Sequence, residues 1–300
     1  MIHARHTPLT AFLVGMLGIA LFSGMDAVMK GLVLALGTYA TLLWRSFAGV
    51  AIASALFAAN RPQWPSRPTL RIHLLRGAVS TLMGVLFFWG LARVPLAQAI
   101  ALAFIAPLLA LMLAAVMLGE KIARRTVAAS FIAFAGVVII FIGQAQADLG
   151  RPALLGSVAI LASAMLYALN IILMRRQSLA AGPPEAAFYQ NLTVSVLLLA
   201  ALPVLGTSMP AAIHWPWLLF AAVLSTASLL LLSWAYARAE ASYLAATEYT
   251  SFLWAMALGW LVFGETVSPF TLAGAALIVA GCLYAARSPA EASPALEAAA

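Results

Sequence analysis

Long apolar runs with almost no charge inside them constrain this chain more than any other feature. A membrane-spanning helix needs about 20 predominantly apolar residues. The chain offers ten such runs, at about 9–29, 38–58, 72–91, 96–117, 126–142, 153–173, 186–204, 215–236, 243–262 and 269–286. Only 8% of the 300 residues are charged and 65% are hydrophobic, whereas a soluble domain carries about 25% charged residues. So little charge cannot cover a water-facing surface, so the solvent has to be lipid. The expected fold class is an all-α polytopic membrane protein with ten transmembrane helices and very little soluble domain.

The net charge of +7 is a topology signal rather than a nucleic-acid footprint, because the basic residues sit in short gaps between apolar runs. With the N-terminus cytoplasmic, the inside segments hold Arg5, Arg61, Arg67, Arg71, Arg76, Lys121, Arg124, Arg125, Arg175, Arg176, Arg238 and Arg287. The outside segments hold Lys30, Arg93 and Arg151, and Arg45 falls within a span. The positive-inside rule therefore predicts that both termini are cytoplasmic. The first run is too long for a signal-peptide core and reads as an uncleaved helix. The tail 287–300 is rich in Ala, Pro and Glu and reads as disordered. Cys282, the single cysteine, excludes an internal disulfide and a cysteine-based metal site. His3, His6, His73 and His214 lie at termini, in loops or at helix starts and lack ligand spacing. No Gly-rich phosphate loop follows a strand, so neither an enzyme nor a cofactor is expected.

The chain repeats itself. "WGLARVPLAQAIALAFIAPLLALMLAAVMLGEKIARRTVAASFIAFAG" (89–136) aligns without a gap to "WAYARAEASYLAATEYTSFLWAMALGWLVFGETVSPFTLAGAALIVAG" (234–281), an offset of 145. Trp89 meets Trp234, Arg93 meets Arg238, Gly119-Glu120 meets Gly264-Glu265, Thr126 meets Thr271, and Ala135-Gly136 meets Ala280-Gly281. The two halves, 9–142 and 153–286, carry five helices each, and an odd number forces the second copy to insert upside down. Inverted repeats are an architecture of secondary transporters, with the substrate site near the midplane where the halves meet. The doubled pattern of an Ala-Arg turn, a helix, a Gly-Glu turn and a last helix ending in Ala-Gly resembles the EamA-type carriers of the drug/metabolite transporter superfamily. That resemblance covers about 9–286. It implies ten helices with both termini inside, a central cavity shared by the halves, and movement of small organic metabolites across a bacterial inner membrane. The partners it implies are a small-molecule substrate and the lipid bilayer, with no nucleic acid, as a monomer or homodimer.

A charge at the centre of a spanning helix costs about 2.5–3.5 kcal/mol on insertion, so each one asks for a reason. Asp26, Arg45 and Glu248 lie well inside runs, and Lys30 stands at the end of the first. Asp26, Lys30 and Arg45 are expected at similar depth near the external mouth. Lys30 would snorkel to the interface while Asp26 neutralises Arg45, either as a structural tie between helices or as a gate for substrate or protons. Asn170 and Gln190 are their milder equivalents in the second half, with Tyr167 and Tyr189 close by in sequence. Buried amides need partners in lipid, so these either bridge helices or face substrate. Glu248, in "LAATEYTSFLWA", has no basic residue in its own run, and its repeat counterpart is Ala103. It is the leading candidate to exchange a proton or bind a cationic part of the substrate, the alternative being a pairing with Arg45 or an amide.

Tyr249 and Trp254 lie deep enough to line a cavity, and Phe88 adds aromatic surface. Trp89, Trp234, Tyr236 and Tyr243 fit interfacial anchoring. Pro107 removes a backbone donor midway along the fourth run and is a candidate hinge or a static kink; its repeat partner is Phe252. Glu120 and Glu265 read as caps that tether loops. Taken together, the residues predict a carrier for a small amphipathic metabolite of the amino-acid, nucleoside-like or vitamin class. It would work by alternating access, with proton coupling through Glu248. The rival readings are a flippase for a lipid-linked substrate, which needs a lateral opening, and a non-transporting receptor or scaffold.

Overall fold

The computed structural model describes residues 8–59, 64–106, 108–110, 112–113, 124–146, 150–236 and 247–286. Pro107, Glu120, Tyr243 and the tail 287–300 lie outside the described residues. Within them the chain is all helix: α1 Pro8–Leu36, α2 Thr38–Ala59, α3 Arg67–Leu91, α4 Leu96–Ala103, α5 Arg124–Gln146, α6 Gly150–Ala180, α7 Pro183–Ala200, α8 Trp215–Tyr236, α9 Thr250–Phe263 and α10 Pro269–Ala286. A single turn, Leu202–Leu205, follows α7. Six of these helices are long and apolar enough to cross a membrane. The first helix does not stop near residue 29 as expected. It has 29 residues and runs through Lys30 to Leu36, about 44 Å at 1.5 Å per residue, because the lysine finds a partner inside the bundle.

Local chemistry sets the ends. Ser66 caps α3, its hydroxyl accepting from the Thr69 N–H, with Pro68 in the first turn where its missing N–H costs nothing. At the end of α9, Gly264 adopts φ +65°, open to a residue without a Cβ. Gly264 N–H then bonds to Trp260 O and Glu265 N–H to Gly259 O, both at 3.0 Å. This six-to-one closure satisfies carbonyls at the helix end and turns the Glu265 side chain back along the bundle.

Contacts between helices follow the repeat. α1 packs on α8 as α6 packs on α3; α2 meets α8 as α7 meets α3; α1 meets α9 as α6 meets α4. The pairs α2–α7, α4–α9 and α5–α10 each map onto themselves. Each pairing is carried into its counterpart by the 145-residue shift, which is the signature of a twofold relation between the halves. At α5–α10 the backbones touch: a Cβ on Gly136 would meet Gly274 O at 2.5 Å, and one on Gly281 would meet Ala129 O at 2.8 Å. These two contacts are each other's repeat images. Small residues permit that approach in a bilayer, where packing rather than hydrophobicity holds helices together.

Two helices are interrupted, at equivalent places. After Ala103 the chain tightens: Phe104 N–H bonds to Ile100 O and Ala101 O, and Ile105 N–H to Leu102 O at 3.4 Å. A proline at 107 has no N–H for the Ala103 carbonyl, which accounts for the break; helical bonding resumes with Leu109 N–H to Ile105 O at 3.1 Å. In the second half, residues 247–248 are helical, Tyr249 is a turn, and α9 proper starts at Thr250. No proline makes that break. Instead the Thr250 and Ser251 hydroxyls donate to the carbonyls of Thr247 and Glu248, each at 2.6 Å, and so replace helix bonds with side-chain ones. Phe104 and Tyr249 are 145 apart.

Candidate functional site

The broken helices meet. The rings of Phe104 and Tyr249 lie edge to face at 5.5 Å, and Phe252 lies 6.3 Å from Phe104. Glu248 stands one residue before this contact and is half-buried. Its charge acts on the Tyr167 hydroxyl, as does that of Arg76, so groups from α9, α6 and α3 converge here.

Tyr167 reveals open space. The inward face of α6 runs through Ile160, Ser163, Tyr167, Asn170 and Met174, at helical spacing. Ile160, Ser163 and Asn170 are buried, yet Tyr167 is 41% exposed and Met174 42%. Exposure on the packed side of a helix marks open space beside Tyr167 and Met174, although Leu173 and Gln177 on the same stretch are buried.

Around it is a polar network that sequence reasoning missed in part. Arg76 donates from Nε to Asn170 Oδ1 at 3.2 Å and from Nη1 to Gln177 Oε1, while Ser80 donates to Asn170 Oδ1 at 3.1 Å. Gln177 Nε2 in turn meets His73 Nδ1 at 2.6 Å, and His73 Nε2 meets Glu185 Oε1 at 3.1 Å. Tyr189 stacks on the His73 ring at 4.8 Å and 10°. Asn170 and Tyr189 were expected as site residues; His73, Arg76, Ser80, Gln177 and Glu185 were not. The available signal was the polar stripe His73, Arg76, Ser80 on α3, spaced three and then four apart. Gln190 lies nearby in sequence on α7, half-buried, with Oε1 unpartnered among the described residues.

Toward the opposite end of the bundle an ion pair ties the halves together. Lys30 does not snorkel to the interface. It is 4% exposed, forms an ion pair with Glu265 Oε1, donates to Val94 O at 2.7 Å, and lies over the Phe263 ring at 5.2 Å. Glu265 Oε2 accepts from Leu96 N–H at 2.7 Å. One lysine and one carboxylate thereby join α1, the α3–α4 turn and the end of α9. Lys30 is thus withdrawn from the expected cluster with Asp26 and Arg45. Those two interact electrostatically, but among the described residues no N–O contact of 4 Å or less joins them. Arg45 Nη1 donates to Ser225 on α8 at 3.4 Å, and among the described residues Asp26 Oδ1 and Arg45 Nε are buried without a hydrogen-bond partner. Ser225 is the repeat image of Ser80, so each half offers a serine to the other's polar pair.

Other expectations find different places. Trp254 is 39% exposed on the outer stripe of α9 with Leu253 and Leu261; a residue on that stripe points away from the cavity, so Trp254 does not line it. Phe88 is buried in the apolar core that also holds Leu91 and Val94. Trp89 holds the Arg93 guanidinium 3.6 Å above its ring. Near that rim an open groove of about 820 Å³ runs between α1, α2, α3 and α7, lined by residues such as Leu34, Leu82, Val85 and Leu198. Among the described residues no group of His, Cys, Asp and Glu is placed to hold a metal ion.

The model of the EamA-like transporter family matches the chain twice, over residues 9–142 and 154–287. The pseudopaline exporter CntI of Pseudomonas aeruginosa is 27% identical over 89% of this chain and 92% of its own. A riboflavin transporter of Rhizobium johnstonii is 29% identical over 77% and 73%. A probable terminal-alkyne amino-acid exporter of Streptantibioticus cattleyicolor is 30% identical over 78% of each. A crystal structure of a protein 20% identical superposes with a TM-score of 0.61, covering 92% of this chain and 96% of that one.

Proposed function

The chain belongs to the EamA-like transporter family, and from that premise we propose a secondary carrier working by alternating access around the cavity between its halves. It is a multi-pass membrane transporter of small metabolites. The finer reading places it in a bacterial inner membrane, both termini cytoplasmic, with the second half inverted relative to the first. Transport occurs where the helix breaks at Phe104 and Tyr249 meet. That meeting carries the proposal: two interrupted helices in corresponding positions of two repeats, with a carboxylate beside the break, are the hallmark of a transporter site.

The lining describes the cargo. Phe104, Tyr249, Phe252 and Tyr167 offer aromatic faces, while Glu248, Arg76 and Asn170 offer one acidic, one basic and one amide contact. An amphipathic metabolite with a ring and a charged or zwitterionic end fits, in the amino-acid, nucleoside-like or vitamin class. The names of the relatives, which handle pseudopaline, riboflavin and an amino acid, fall within that range. Glu248 serves as the coupling group, loading a proton or the cationic end of the substrate. The Lys30–Glu265 pair closes one end while the other end is open; with the positive-inside orientation, the open end faces the cytoplasm.

Reconstitution tests this. Liposomes containing the protein, preloaded with riboflavin, an amino acid or pseudopaline, should exchange at least one of them saturably above empty vesicles. Glu248→Gln should lower the rate or flatten its pH dependence. Folded protein that exchanges none of the three classes would count against the reading. A second reading, a lipid-linked substrate, draws on the apolar groove between α1, α2, α3 and α7; exchange only of lipid-linked cargo would favour it.

A further inference from the structure

We propose that His73, clamped between Glu185 and Gln177, is a second proton-binding site of the carrier, and that the Gln177 amide converts its protonation into release of Arg76 from the cavity wall. This rests on the carrier reading above and adds a site to it.

A guanidinium only donates hydrogen bonds. The contact from Arg76 Nη1 therefore fixes the amide oxygen of Gln177 toward Arg76 and its NH₂ toward His73. The His73 nitrogen facing that NH₂, Nδ1, is then an acceptor without a proton. The neutral ring carries its proton on Nε2, where the Glu185 carboxylate accepts it at 3.1 Å. Chemistry rather than an arbitrary choice of tautomer thus orients the whole chain Arg76, Gln177, His73, Glu185. The ring is fully buried and sandwiched against Tyr189, so its orientation is held.

Protonation breaks this order at one point. A proton from water adds to Nδ1, one N–H bond forms, and the imidazolium keeps its Nε2–H on the Glu185 carboxylate as an ion pair. Two donors now face each other at Nδ1 and Gln177 Nε2, 2.6 Å apart. The amide must turn its oxygen to the ring, which brings its NH₂ toward Arg76. Arg76 then loses an acceptor, though not its bond to Asn170, and its charge is free to move among Tyr167, Glu248 and substrate. Loss of the proton to the same water phase reverses the sequence. Among the described residues, the ionisable groups around the ring are Glu185 and Tyr189 on α7 and, through Gln177, Arg76 on its own helix. α6 presents the neutral Gln177, and α2 contributes Phe57, packed behind Tyr189. Glu185 is 20% exposed and connects the dyad to water.

The test needs no known substrate. Protein ¹⁵N-labelled at its four histidines is examined by NMR in lipid, with His73→Gln assigning the resonance. The expected spectrum shows His73 protonated on Nε2 at high pH and on both nitrogens at low pH. In parallel, spin labels at Leu75→Cys on α3 and Leu253→Cys on α9, in a Cys282→Ser background, report the distance across the cavity between about pH 8 and about pH 5, the range in which histidines titrate. The wild-type distance distribution should shift and His73→Gln should hold one distribution at both values. Gln177→Met should keep the NMR titration but lose the distance response. A Nδ1-protonated neutral ring, a wild-type distance insensitive to pH, or an undiminished shift in either variant would overturn the proposal. If liposomes exchange substrate normally under any of those outcomes, the carrier reading stands and only the His73 site falls.

Discussion

A lysine buried to 4% exposure among apolar helices survives only with its charge matched. Lys30 has that match in Glu265 and a second contact in the Val94 carbonyl. Removing one partner of such a pair typically costs about 3–5 kcal/mol, whereas replacing both with apolar residues is often neutral. Glu265→Gln should therefore lower the melting temperature in detergent sharply, and the double variant Lys30→Met with Glu265→Leu should recover most of the loss. Additive losses in the double variant would show that the two residues act apart. The partners lie 235 positions apart, which explains why the sequence revealed that Lys30 is exceptional but not what holds it. A helix position reports depth and face, whereas an ion pair depends on which helices become neighbours. The same holds for His73: no spacing along α3 shows that α6 will supply Gln177 and α7 Glu185.

The helices themselves were far more legible, because a spanning run announces itself by length and apolarity. Errors lie where local chemistry overrides that signal: α1 continues past Lys30 once the charge is paired, and the Trp254 stripe of α9 turns outward. The break at Tyr249 had no proline to mark it, only the hydroxyls of Thr250 and Ser251. Thr250→Val together with Ser251→Ala should let helical bonding run through Tyr249. Binding or exchange of a cavity ligand should then fall severalfold while the protein stays folded; unchanged exchange would detach the break from function. At α5–α10, Gly136→Val forces a side chain against the Gly274 carbonyl, where even a Cβ would stand at 2.5 Å. Overpacking of this kind costs about 1–3 kcal/mol, and a thermal melt should show the loss. The same substitution at Gly84, which has open space around it, should be close to neutral.

At the scale of the whole molecule, the gap-free offset of 145 foreshadowed the pairing scheme, since contacts α1–α8 and α6–α3 are images of one another. What the repeat could not show is where it departs from symmetry: the Lys30–Glu265 pair ties the helices at one end, while Tyr167 and Met174 border open space toward the other. Orientation is testable by itself. A C-terminal fluorescent-protein fusion should glow and a C-terminal alkaline phosphatase fusion should stay inactive if that end is cytoplasmic, and the reverse pattern would invert the assignment. The central claim is that substrate binds between the halves beside Phe104, Tyr249 and Glu248. The most direct measurement is a thermal-shift screen of the purified protein against a metabolite panel, repeated with Glu248→Gln and Tyr249→Ala. A ligand at 100 times its dissociation constant stabilises the folded state by about 2.7 kcal/mol. The account predicts a ring-bearing or zwitterionic hit whose shift both substitutions reduce or abolish. A hit that survives both substitutions unchanged would contradict it.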